Sequence, residues 1–477
     1  MLVRLAGNLF KTSDFIQCQK LILAVSGGGD SLALLFLVQD HLKTLSFPPE
    51  MIVVTVDHQL RPESAREAEN VAEICRAHHI KHIIVRWKGK KPKTHIAEKA
   101  RIARYDLLFE EAQKQNATLI MTGHTLNDQI ETYQMRYQRL QKDMDVFLQD
   151  SSLVTMREEI FRKDEGAESA KKNTGLLYAR GLSCIPREAL LHRSVRLIRP
   201  LLGVKRETLR AYLRLKGKTW IEDPTNEDLN FERVRVRQSL HPQQFITFVK
   251  KVHEAALKRR EQAQKIADLI LALDIIVEHG RCFIAKPAPF LHQHPSFPFV
   301  VGLFAVLMGG SSYLLPYKKL IMLDKKLCLH SSQKQRFTLA GSVIEYNSDG
   351  ISFWRESRNI KEISLDPGKT CLWDGRYQIT NHEPDAIKIG AANLEQLKYL
   401  CKNSKLDCDR PHFPSLQSLL MISNGKAFSI PELTSQAASL QNITMKRVMA
   451  PFNWLLSYED AVFINVLEPF FNIEVKR

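Results

Sequence analysis

Within six positions, Ser26-Gly27-Gly28-Gly29-Asp30-Ser31 brings together two hydroxyls, one carboxylate and three residues without a Cβ. Glycines let a backbone turn tightly and bring its N–H groups close to a ligand. Hydroxyls and a carboxylate suit phosphate oxygens and a bound divalent cation, which makes Asp30 the candidate Mg2+ ligand. Leu21 to Val25, just before, is an unbroken apolar run of the kind found in strands buried on both faces. Leu32 to Leu45, just after, is long enough for a helix. A strand, a glycine-rich turn and a helix N-terminus concentrate free N–H groups and a positive dipole end at one point, which holds phosphate. Three glycines alone would also fit an ordinary tight turn; Ser26, Asp30 and Ser31 favour the phosphate cradle. No lysine follows, so the run is not G-x-x-x-x-G-K-S/T, nor is it G-x-G-x-x-G.

Four further clusters carry chemistry. Val56-Asp57-His58-Gln59-Leu60-Arg61-Pro62-Glu63-Ser64 puts a carboxylate directly after an apolar run. Beside a phosphate site Asp57 can hold Mg2+ or a substrate amine, and it can equally cap a turn. Gly123-His124-Thr125-Leu126-Asn127-Asp128-Gln129-Ile130-Glu131-Thr132 sets Asp128 and Glu131 three apart, on one face of a helix. Such a pair binds a primary ammonium or acts as a base; a solvated first helical turn has the same composition. In Ala100-Arg101-Ile102-Ala103-Arg104-Tyr105 two arginines one turn apart can neutralise transferring phosphates or an RNA backbone, or form a plain basic face. The last cluster is Arg199-Pro200-Leu201-Leu202, Glu222-Asp223-Pro224-Thr225-Asn226 and Arg233-Val234-Arg235-Val236-Arg237. On a strand or irregular segment these alternating arginines point one way every second residue, an arrangement suited to phosphates.

The elements that must position these residues alternate regularly. Strands are expected at Met51–Val56, His82–Val85, Thr118–Thr122 and Val195–Ile198. Helices are expected at Pro62–His79, from an N-cap at Thr94 to about Lys114, at Thr125 to about Arg139, and within Gly203–Gly217. Such alternation predicts a doubly wound, Rossmann-like parallel sheet, with ligands at the carboxyl ends of its strands. Ser26, Asp57 and His124 each fall at such an end. A polar, charged stretch over about 138–174 interrupts the pattern and reads as a surface insertion. The expected division is a catalytic domain over 1–222, a basic helical region over 223–285 containing Lys258, Arg259 and Arg260, and a smaller α+β domain over 286–477. In that last part Ser342–Glu356 reads as a hairpin around Asn347-Ser348-Asp349-Gly350.

At 477 residues the chain is long enough for two or three cores. Its 68 Lys+Arg against 52 Asp+Glu leave a net charge of +16, which favours a polyanionic partner. Eight scattered cysteines without a C-x-x-C pair exclude a zinc or iron–sulfur spacing and a disulfide scaffold, and reduced thiols fit a cytoplasmic protein. No signal-peptide pattern opens the chain. Phe297–Met308, its most apolar later segment, is too short to span a bilayer and reads as a core helix, so no membrane partner is expected.

S-G-G-x-D-S resembles the pyrophosphate loop of the N-type ATP pyrophosphatases, which cleave ATP between the α- and β-phosphates and adenylate an oxygen. S-G-G-G-D-S, V-D-H-Q-L-R-P-E-S, A-R-I-A-R-Y, G-H-T-L-N-D-Q-I-E-T, R-P-L-L and E-D-P-T-N…R-V-R-V-R together resemble one family, the bacterial tRNA(Ile)-lysidine synthetases, in the family's order. The similarity covers about residues 20 to 240 and continues faintly through Thr338-Leu339-Ala340-Gly341 and Trp373-Asp374-Gly375-Arg376. Two departures stand out: the 138–174 insertion, and Val234 where the family often has asparagine. The resemblance implies ATP-dependent ligation of free L-lysine to the wobble cytidine of a tRNA(Ile) with a CAU anticodon. It implies that Ser26, Gly27, Gly28, Gly29, Asp30, Ser31 and His124 hold ATP, with Mg2+ at Asp30. Arg101 and Arg104 would offset phosphate charge, and Asp57, Asp128 and Glu131 would receive lysine. Arg199, Arg233, Arg235, Arg237, Lys258, Arg259 and Arg260 would meet tRNA. The oligomeric state stays open between monomer and homodimer.

Overall fold

The computed structural model describes residues 9–148, 180–222, 227–241, 243–328, 334–403, 412–433, 440 and 442–471. Two compact units result. One comprises the described residues up to Lys258 together with Leu455–Glu459; the other comprises Arg259–Trp454 and the described residues from Asp460.

The first unit is built on a seven-stranded sheet. Its strands are β1 (Lys20–Ala24), β2 (Glu50–Asp57), β3 (Lys81–Arg86), β4 (Leu119–Thr122), β5 (Glu188–Leu191) and β6 (Val195–Ile198), with Leu455–Ser457 at one edge. The order is Leu455–Ser457, β5, β6, β4, β1, β2, β3. Neighbours from β6 to β3 pair in parallel. Leu455–Ser457 and β5 add an antiparallel edge that the sequence pattern did not announce. Leu21, Ile22 and Leu23 of the central β1 are wholly buried, as its unbroken apolar run requires. Strand order reverses at β1, with β2 on one side and β4 on the other, so the crevice beyond its carboxyl end is where a ligand belongs in such sheets.

Helices α1 (Gly29–Leu42), α2 (Ser64–Ala77), α3 (Ile96–Gln115), α4 (Leu126–Leu148), α5 (Arg206–Leu215), α6 (Glu232–Ser239) and α7 (Gln244–Ala272) complete the pattern. Leu32 to Val38 of α1 are all buried. A helix apolar on every side has to be covered on every side. Here β1 lies in the same core cluster, and so do Leu209, Tyr212 and Leu213 of α5. The N-cap of α3 is His95, in left-handed conformation, rather than Thr94. Helix α4 runs to Leu148, into the stretch expected to be an insertion, and 149–179 lies outside the described residues. The R-V-R-V-R segment is helical, not extended, and Val234 and Val236 are buried.

The second unit carries a five-stranded antiparallel sheet of β7 (Ile275–Glu278), β8 (Arg281–Ala285), β9 (Gln335–Leu339), β10 (Ser342–Asn347) and β11 (Gly350–Arg355). The expected hairpin is β10–β11, with Asn347 paired to Gly350. Because β8 pairs with β11, a domain break at 285 would cut this sheet; the break between units falls inside α7 instead. All residues of α8 (Phe297–Gly309) are buried, the expected core helix. No helix among the described residues is long and apolar enough to cross a membrane. A four-stranded and a three-stranded sheet share a further core that includes Trp373, Tyr377 and Ile389. The faint motifs T-L-A-G and W-D-G-R are turns: Ala340, Gly341, Asp374 and Gly375 all have positive φ.

Candidate active site

Beyond the carboxyl ends of β1, β2 and β4 lies a cleft of about 800 Å3. Ser26, Gly28, Gly29, Asp30 and Ser31 form one wall. Gly28 is the N-cap of α1 and no side chain caps it; the Ser31 N–H donates to the Gly28 carbonyl at 3.1 Å, which leaves the Gly29 and Asp30 N–H groups for a ligand. The loop is internally braced. The Ser26 N–H donates to Ser31 Oγ at 3.2 Å, and Ser31 Oγ donates to the Gly28 carbonyl at 2.9 Å. Gly27 has φ +87°, and a Cβ there would stand 2.7 Å from Ile221 Cδ1. The Ile221 N–H donates to the Gly27 carbonyl at 3.0 Å, and the Trp220 ring lies against Gly29. The segment before E-D-P-T-N therefore clamps the phosphate loop; Asp223 to Asn226 lie outside the described residues.

A charge network fills the side of the cleft next to α4. Arg206 Nε donates to Asp30 Oδ2 at 2.9 Å and reaches Asp128 Oδ1 at 3.5 Å and Glu131 Oε1 at 3.6 Å. Arg233 donates to Asp128 Oδ1 at 2.8 Å and Glu131 Oε2 at 2.6 Å, and Arg237 to Glu131 Oε1 at 2.8 Å. Helix spacing explains the α6 contacts: Arg233 and Arg237, four apart, share a face, whereas Arg235 bonds the carbonyls of Leu229 and Asn230. Asp128 divides its two oxygens. Oδ2 accepts the Thr125 N–H at 2.7 Å and hydroxyl at 2.8 Å, bracing the first turn of α4, while Oδ1 faces the guanidiniums. Asp128 thus caps the first turn of α4, but that turn is not the solvated one the composition also allowed: the Asp128 side chain is 14% exposed and Glu131 1% exposed. Burial pushes Asp128 up, but Arg233, Arg206 and the Thr125 N–H bring it below the ordinary carboxylate range. Burial wins at Asp30, which is raised despite Arg206.

Arg101, Arg104 and His124 also line the cleft. The His124 Nδ1 lies 2.9 Å from Thr122 Oγ1. Burial and the nearby Arg199, Arg101 and Arg104 guanidiniums push His124 down to about 3, so it is neutral near pH 7. His58, between Arg104 and Trp87, is pushed down to about 4 by burial and Arg104.

The structure puts several of the expected residues away from the cleft surface. Asp57 is 3% exposed, and its Oδ1 accepts the Gln59 N–H at 2.9 Å and the Ser64 hydroxyl at 2.8 Å. It caps the turn that follows β2, and His58, not Asp57, lines the cleft. Arg199 is 0% exposed, bonded to the Pro186 carbonyl at 2.7 Å, and cannot meet a nucleic acid surface. Its charge acts from behind the wall, on His124 and Tyr105. Arg259 pairs with Asp460 at 2.6 Å and is largely buried, whereas Lys258 and Arg260 are exposed. Arg206 and Trp220 were not singled out from sequence. One lone arginine after R-P-L-L-G carries no pattern, and only the fold brings it to Asp30.

A family model for the PP-loop domain matches residues 3–148 and 171–244. The chain is 72% identical, over the full length of both, to the tRNA(Ile)-lysidine synthase of Bartonella quintana (strain Toulouse). The chain belongs to the tRNA(Ile)-lysidine synthase family. The family's protein from Bartonella henselae is 70% identical over all of both chains. That of Brucella suis is 33% identical over 97% of this chain and 96% of its own. Among solved structures, the U34-tRNA thiolase NcsA from Methanococcus maripaludis has a TM-score of 0.38 at 16% identity over 53% of this chain and 78% of its own, too remote to bear on function.

Proposed function

We propose that the chain ligates L-lysine to C2 of the wobble cytidine of a tRNA(Ile) bearing a CAU anticodon, with release of AMP and pyrophosphate, in the cytoplasm. The product pairs with adenosine instead of guanosine, so the tRNA reads AUA rather than AUG. The observation that carries this reading is Arg206, which joins the phosphate-loop carboxylate Asp30 to Asp128 in one cleft and to Glu131 just behind its wall. Family membership supplies the reaction, and the nearness of the phosphate loop to Asp128 and Glu131 supports this assignment of its two halves.

The C2 oxygen of cytosine is a poor leaving group. Transfer of AMP from ATP onto that oxygen makes it a good one, with pyrophosphate leaving. The uncapped N-terminus of α1 holds the departing pyrophosphate, and Arg101 and Arg104 offset charge building on the α-phosphate. Asp30 Oδ1 is buried with no hydrogen-bond partner among the described residues, and Mg2+ sites use one or two carboxylates plus substrate phosphates, so Asp30 fits as the protein ligand. The ion would neutralise phosphate charge there. Asp128 and Glu131 then receive lysine ammonium groups and help present the ε-amine neutral, its nucleophilic form. Neutral His124 orients phosphate or carboxylate by hydrogen bonding. Asp57 holds the turn that carries His58.

A thiolase of the same superfamily would need reactive thiols near the cleft. Among the described residues none lining the cleft is a cysteine, and burial pushes Cys75 up to about 11 and Cys184 up to about 12. The test uses purified protein, ATP, Mg2+, radiolabelled lysine and tRNA. Label entering the CAU-bearing tRNA(Ile) with one AMP per lysine supports the reading; AMP formation without lysine transfer overturns it.

A further inference from the structure

Glu131 is 1% exposed and does not itself line the cleft. Three guanidiniums that do line it cover its carboxylate: Arg233 at 2.6 Å, Arg237 at 2.8 Å and Arg206 at 3.6 Å. Arg233 also closes on Asp128 Oδ1, the oxygen that the Thr125 cap leaves open. Lysine ammonium groups would need these same oxygens. A guanidinium and an ammonium compete directly for a carboxylate, so an ammonium can take the Asp128 Oδ1 and Glu131 oxygens only where a guanidinium gives way.

Arg206 is bound at both ends, its backbone N–H to Asn127 Oδ1 at 2.9 Å and its Nε to Asp30. Arg233 and Arg237 belong to the eight-residue α6, and their side chains are 38% and 30% exposed. An arginine that leaves a carboxylate must find another anion, and phosphate matches its planar fork as well as carboxylate does. The uncapped loop of α1 lines the same cleft.

We propose that Arg233 and Arg237 are internal occupants of the lysine site, and that phosphate entering the cleft draws them off Asp128 and Glu131, so that lysine is admitted only after a phosphate-bearing substrate. This rests on reading Asp128 and Glu131 as the ammonium acceptors. The phosphate comes from ATP or from the tRNA backbone; both present the same oxygens to a guanidinium. The device orders the reaction, because an amine that cannot enter before the adenylating substrates is not committed unproductively.

The experiment measures equilibrium binding of radiolabelled L-lysine to the full chain in four mixtures. These are protein alone, with Mg2+ and a non-hydrolysable ATP analogue, with tRNA, and with both. Binding is weak to protein alone and tightens roughly tenfold or more with whichever source draws the arginines off. The Arg233→Gln/Arg237→Gln double variant binds lysine about tenfold tighter than wild type without phosphate, and gains little from its addition. Arg237→Gln alone shifts the same way by a smaller factor, which keeps the test standing if the double variant does not fold. Arg233→Lys/Arg237→Lys keeps lysine out. Binding to the Gln variants no tighter than to wild type, the behaviour of a permanent tether between α6 and α4, overturns the proposal. So does wild-type binding that neither phosphate source improves. Wild-type lysine affinity in Asp128→Asn with both sources present would instead overturn the ammonium-site reading itself.

Discussion

Arg206 Nε stands 2.9 Å from Asp30 Oδ2 across 176 positions of sequence, and the same guanidinium reaches Asp128 and Glu131. Replacing it by alanine removes the charge that opposes burial at Asp30, whose carboxyl is already raised, and raises it further. The acid limb of ATP-dependent AMP formation therefore moves to higher pH. The rate falls roughly 10²- to 10³-fold, the size of the effect when one preorganised charged donor is removed. Lysine at 206 restores little, because a point charge does not reproduce the fork. A pH–rate profile of AMP release checks both statements.

Gly27→Ala tests the clamp on the phosphate loop. Its φ of +87° costs an L-residue roughly 1–2 kcal/mol, and the new Cβ meets Ile221 Cδ1 at 2.7 Å. We expect a lower melting temperature and a raised KM for ATP, with the KM for lysine changed less. Thermal unfolding and initial rates decide it.

His124 is held neutral, with a pKa lowered from its ordinary 6.5 to about 3. On unfolding it regains the ordinary value and takes up a proton at any pH between the two. Its contribution to stability is therefore full above about 6.5 and is lost as pH falls towards 3, by up to about 1.4 kcal/mol per pH unit. His124→Gln flattens that part of the stability curve. Denaturant unfolding at a series of pH values measures the slope; an unchanged slope would show that His124 is charged when folded.

These expectations depend on features unequally legible in the sequence. Apolar runs at Leu21–Val25 and Met51–Val56 make the parallel core readable, because a strand buried on both faces has only one pattern. The antiparallel edge was not readable: Leu455–Ser457 comes from the far end of the chain. S-G-G-G-D-S and Asp128 with Glu131 could be picked out because their spacing puts polar groups side by side, while spacing alone divides evenly between an ammonium site and a solvated first turn. Arg233 and Arg237 stand out under the wrong period, since two-residue alternation hides the four-residue pair that α6 exploits. Asp57 and Arg199 sit in suggestive motifs, but burial decides their roles, and burial is a property of the fold. Arg206 needed the three-dimensional structure outright.

Surface charge gives a contrast in salt dependence. Lys258→Glu and Arg260→Glu, at exposed positions of α7, should weaken tRNA binding and reduce the slope of log affinity against log salt by about one for each phosphate no longer neutralised. Arg199→Met should leave that slope unchanged and lower thermal stability instead, because its guanidinium is wholly buried. Filter binding across a salt series, with melting curves for each variant, separates the two.

The most direct measurement of the central claim is lysine transfer in Asp128→Asn and Glu131→Gln, run beside tRNA-dependent pyrophosphate release in the same proteins. The predicted result is lysine incorporation reduced at least about 100-fold, with adenylation falling far less, since loss of a charged acceptor removes the amine's site before it removes the phosphate cradle. Incorporation at the wild-type rate in either variant would contradict the assignment of this carboxylate pair to lysine.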